Sequence, residues 1–163
     1  MINVVLAIVL LISLITDLMY RKIYNVITFP AILFGLTYHT WINGWEGFLF
    51  SGIGFVVGML LLIIPFALGG MGAGDVKLLA AIGALTGTGF VFATFLYTCI
   101  AGGIMALLII LMRKRSKDLI MRIKNALTFK SINHMDDKEL HHAFPYGVAI
   151  FIGTLCAYIL GGS

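Results

Sequence analysis

The sequence predicts an all-α fold, a polytopic membrane bundle of about six transmembrane helices, and three observations predict it. Hydrophobic residues make up 61% of the chain and charged residues 11%, against roughly 25% charged in soluble domains. The mean hydropathy is +1.07. Apolar runs alternate with short polar connectors, and the 163 residues suffice for spans of about 20 residues each with no separate soluble domain. The whole chain, 1–163, is therefore expected to be one membrane-embedded domain.

The runs follow in order. Residues 2–16 form the first and end at Thr16-Asp17. Their N-terminal side lacks a basic region and a small-residue cleavage site, so a retained span is expected rather than a removable signal. A polar stretch to Asn25 carries Arg21 and Lys22. Residues 26–42 form the second run, with Pro30 near its start, where proline costs a helix least. A connector with Trp41 and Trp45 beside it leads to the third run, 48–68. Gly54 and Gly58 there have the spacing that lets two helices approach closely, and Pro65 and the glycines from Gly69 onward are expected to end the run.

The fourth run, about 76–87, is short for about 30 Å of hydrocarbon and is expected to borrow the preceding glycine turn. Ala80, Gly83, Ala84 and Gly87 give it a small-residue face. A tight turn at 86–89 precedes the fifth run, 90–112, and the sixth covers 143–160. Between these two lies a basic cytoplasmic segment, 113–142. Its first part spaces Leu119, Ile120, Ile123, Ala126 and Leu127 as an amphipathic helix lying on anionic lipid would.

Charge sets the expected orientation. With the N-terminus outside, the inner segments 17–25, 69–77 and 113–142 hold all eleven Lys and Arg, and the outer connectors hold none. The net charge of +4 thus reads as a topology signal in a plasma-membrane protein, not as a nucleic-acid surface. Cys99 and Cys156 sit singly in apolar runs, without metal-ligand spacing. Donor atoms do cluster in 134–142, at His134, Asp136, Asp137, Glu139, His141 and His142. A flexible loop lacking a supporting shell is a poor metal site, so no metal and no cofactor are expected.

Of seven acids, only Asp17 and Asp75 abut apolar spans, and the topology puts both at the inner rim. Carboxylates at a membrane edge are costly and usually functional. Two brought together in a poorly solvated place share a proton. One can then deprotonate a water while the other donates to a carbonyl oxygen, with no fixed assignment of acid and base. Asp75 lies in GGMGAGDVKLL (69–79), where Gly72 and Gly74 permit a turn and leave room for an extended peptide. Lys77 either tunes the pair or snorkels to lipid phosphate. From the residues alone, proteolysis, a proton-coupled transporter using the pair as a relay, and a structural scaffold all stay open.

Three stretches resemble a known family. DLMYRKIYNVIT (17–28), GAGDVKLLAAIG (72–83) and FPYGVAIFIG (144–153) are similar, in order, to the short prepilin peptidases of the tight-adherence type, relatives of the type IV prepilin peptidases. The resemblance implies an aspartic endopeptidase that removes the basic leader of pilin-like precursors at the cytoplasmic face. Asp17 and Asp75 would be the catalytic acids. Gly72 and Gly74 would be motif glycines, with Lys77, Arg21 and Asn25 in support. Tyr24 stands where that family usually has proline. Nothing matches the extra domain of the larger relatives, so methyltransferase activity is not expected. The resemblance leaves the oligomeric state open.

Overall fold

The structure, a computed structural model, describes residues 1–112 and 146–161. The basic segment 113–142 and its 134–142 donor cluster lie outside the described residues. Helices are Ile2–Tyr20, Asn25–Ala67, Ala73–Met112 and a shorter Tyr146–Leu160, and the first three are long and apolar enough to cross a membrane. The two longest are each two helices. Gly44 (φ 57°, ψ −131°) interrupts one and Gly87 (φ 81°, ψ −179°) the other, both outside helical geometry. We label the six helices α1 (Ile2–Tyr20), α2 (25–43), α3 (45–67), α4 (73–86), α5 (88–112) and α6 (Tyr146–Leu160).

Gly44 turns the chain back on itself. Residues eight apart on one helix are separated by about 12 Å, yet a Cβ on Gly47 would overlap the carbonyl of His39. Gly87 does the same for α4 and α5. Positive φ suits glycine at both points. The packing then reads as an alternating bundle. α3 runs antiparallel to α4, with Gly54 against Gly83 and Gly58 against Leu79, while α2 runs parallel to α4, with Gly35 against Ala84. α5 meets α6 antiparallel, through Thr98 with Gly153 and Gly102 with Ala149.

Among the described residues six helices stand where six apolar runs are expected, and the small residues of α3 and α4 do meet. Boundaries differ in two places. α4 begins at Ala73, so Asp75 lies inside its first turn rather than in the turn before it. Pro30 lies in the second turn of α2 rather than its first, whereas Pro65 sits in the last turn of α3, which ends at Ala67 just before Gly69 (φ 73°). α4 is the core. Leu78, Leu79, Ala80, Ala81, Ile82, Ala84 and Leu85 are all buried, and a helix apolar all round belongs at a bundle's centre. Exposed apolar side chains on α1, α3 and α5 form the outer surface of an integral membrane protein.

Breaking the helix at Gly87 strands the carbonyls of its last turn. Ser51 Oγ donates to the Ala84 carbonyl at 2.6 Å, and His39 Nε2 donates to that of Leu85 at 2.9 Å. These bonds tie α3 and α2 to the end of α4. Ser51→Ala removes a buried donor, and the expected loss is about 1–2 kcal/mol, read as a lower thermal midpoint in detergent.

Candidate active site

α1 buries one stripe, Leu6, Val9, Leu10, Ser13 and Asp17, at spacings of three and four residues. That periodicity carries Asp17 into the bundle near the end of the helix. Arg21 closes α1 in the left-handed region (φ 51°), and its N–H donates to the Asp17 carbonyl at 2.8 Å. Its side-chain charge also acts on the Asp17 carboxylate. Tyr24 then stands extended (φ −82°, ψ 139°) before α2. That φ is close to the value a proline ring imposes, so tyrosine at this position keeps a proline-like course.

Asp75 occupies the third position of α4. Its carboxylate accepts the Gly72 N–H at 3.2 Å, and its own N–H donates to the Gly72 carbonyl at 3.2 Å. This is a reciprocal cap at a helix start, where an acid also favours the helix dipole. Asp17 and Asp75 are 6% and 7% exposed. Both line one pocket of about 310 Å³, completed by the connector 21–25 and the turn 72–74. The two carboxylates are near enough to act on each other electrostatically.

The other expected residues divide. Arg21, Asn25, Gly72 and Gly74 line this pocket. Lys77 stands behind it, donating to Asn25 Oδ1 at 2.8 Å, with its ammonium 5.8 Å from the Phe29 ring centre. It latches the start of α2 to α4. Gly74 uses its missing side chain internally, since a Cβ there would come within 3.0 Å of Ile23 Cβ and 3.2 Å of the Ile23 carbonyl. Gly72 is less crowded, since a Cβ there would make ordinary van der Waals contact with Asp75 Oδ2 at 3.5 Å.

Gly147 was not among the expected site residues. Its N–H donates to Asp17 Oδ2 at 3.0 Å across 130 positions of sequence. Its signal in the sequence is its place in FPYGVAIFIG (144–153), one of the three stretches that carry the family resemblance. A larger cavity of about 940 Å³ lies at the opposite end of the bundle, beside His39, Phe50 and Thr86. Among the described residues its lining holds no carboxylate side chain, and His39 is already engaged with Leu85. The smaller pocket is the one that brings two carboxylates together.

A helical membrane bundle with two buried aspartates on one pocket is the class these observations define. Within that class, the model of the type IV leader peptidase family matches residues 4–107, and the chain belongs to that family. Membership makes it a membrane-embedded peptidase whose substrates are prepilin-like. No curated protein and no solved structure matches it.

Proposed function

We propose that this peptidase cuts the basic leader from pilin-like precursors at the cytoplasmic membrane face, with Asp17 and Asp75 as its reacting acids. The observation that carries the proposal is two buried carboxylates on the wall of one small pocket, each within reach of the other's charge. One carboxylate takes a proton from water as its oxygen attacks the scissile carbonyl carbon, and the other donates a proton to the carbonyl oxygen. Collapse of the tetrahedral intermediate breaks the C–N bond: a carboxyl proton passes to the leaving amine, and a hydroxyl of the intermediate returns its proton to a carboxylate as the C=O reforms. The pair ends with the proton count it began with. Backbone N–H groups of Gly72 and Gly147 hold the two acids in place.

Charge supports the sidedness. Arg21 and Lys22 line the aspartate pocket and Lys77 stands behind it, whereas exposed Trp41 and Trp45 flank the Gly44 reversal at the other end. Cations gather on cytoplasmic faces and tryptophans at interfaces. A precursor with an inner basic leader and an apolar helix would present its junction at this rim. Anionic lipid headgroups would meet the same cations.

The test is incubation of the purified protein in detergent with a pilin-like precursor, followed by mass analysis of the new N-terminus. Cleavage between leader and apolar helix is expected. Proton-coupled flux in liposomes without peptide release would instead establish the relay reading. Lys77→Ala should give a graded loss in kcat/KM, on the order of tenfold, because it loosens the α2–α4 latch and leaves the acids in place. Complete loss with intact folding would mean that Lys77 acts on the reaction itself.

A further inference from the structure

The first turn of α6 is built onto the aspartate pair. Its opening N–H groups have no partner within the helix. Gly147 N–H donates to Asp17 Oδ2 at 3.0 Å, and the Val148 N–H lies near enough to act on the same carboxylate. Asp17, from α1, thus does for α6 what a capping side chain does for its own helix. The residue before, Tyr146, lies within electrostatic reach of Asp75. One turn of helix therefore borders both acids.

The fit at Gly147 admits no side chain. A Cβ there would stand 2.6 Å from Asp17 Oδ2, 2.8 Å from Cγ and 3.0 Å from Cβ. Gly153, six residues further on α6, is as tightly packed, since its Cβ would overlap Thr98 Oγ1, but it touches neither acid. Two glycines of one helix thus separate packing from positioning. From this contrast we infer that Gly147 is a positioning residue for the peptidase reaction, fixing the Asp17 carboxylate through its N–H and through the absence of a side chain. The inference rests on Asp17 and Asp75 being the reacting pair.

The test compares the full-length protein with G147A, G153A, D17A and D17A/G147A, reading precursor cleavage and thermal midpoint. G147A should lower kcat by about a hundredfold, the loss that a displacement of about 1 Å can produce, with KM unchanged. G153A should lower the midpoint and leave kcat per folded enzyme unchanged. The midpoint lost in G147A should be largely recovered in D17A/G147A relative to D17A, because removing the carboxylate removes the collision. That arm holds even where G147A folds poorly. A wild-type kcat in G147A beside an inactive D17A would overturn the positioning role alone, as would equal midpoint losses in both backgrounds. Cleavage retained by D17A would overturn the reading of Asp17 as a reacting acid.

Discussion

Asp75→Asn is expected to abolish precursor cleavage while the protein still folds and inserts, and Asp17→Asn is expected to do the same. The amide is nearly isosteric, and its oxygen can still accept the Gly72 N–H at one site and the Gly147 N–H at the other. The bundle therefore keeps its contacts. An amide can neither take a proton from water nor return one to the amine, so the step each acid serves is lost. Removing one member of a reacting unit typically costs about ten-thousandfold or more, and removing both costs little beyond that. Asp17→Asn/Asp75→Asn should thus be no less active than either single variant. Processing retained by a folded single variant would remove that residue from the mechanism.

The second large effect concerns assembly. Gly83→Val is expected to prevent α3 from docking on α4, with loss of the folded protein in detergent. A Cβ on Gly83 would overlap the Gly54 carbonyl, and one on Gly54 would overlap the Gly83 carbonyl. Both obstacles are backbone, so no side chain can swing aside. α4 cannot move outward either, because it is buried on every side. The cost should lie at or above the top of the about 1–3 kcal/mol seen for overpacked cores. Gly52→Ala is the control. Nothing lies within 4 Å of its Cβ position, and a change within about 0.5 kcal/mol is expected. A thermal midpoint in Gly83→Val equal to that of Gly52→Ala would contradict the packing account.

Much of this architecture is written in local patterns. Apolar runs separated by Gly44 and Gly87 mark the six helices, since run length and glycine reversals are properties of neighbouring residues. Gly54 and Gly58 announce a close helix contact through their spacing alone. That Asp17 and Asp75 stand at the same end of the bundle follows from counting the helices. Long-range detail is another matter. That Gly74 packs on Ile23, that Lys77 grips Asn25, and that Gly147 meets Asp17 are close approaches between distant segments. Such contacts depend on how helices lean on one another, and a glycine needed for closeness looks like any other glycine in an apolar run. Lys77 shows the limit well. Its sequence neighbours suggested lipid or the acid pair, whereas its bond goes to a residue 52 positions away.

The account depends on Asp17 and Asp75 facing each other across one pocket, and thiol cross-linking in membranes measures that most directly. In a background with Cys99 and Cys156 replaced, Asp17→Cys/Asp75→Cys is treated with a short thiol-bridging reagent. Asp17→Cys/Thr86→Cys serves as the reference, Thr86 being eleven residues and about 16 Å of helix further along α4. The account predicts an intramolecular link in the first pair and none in the second. No link at the aspartate positions, or one no faster than the reference, would contradict it.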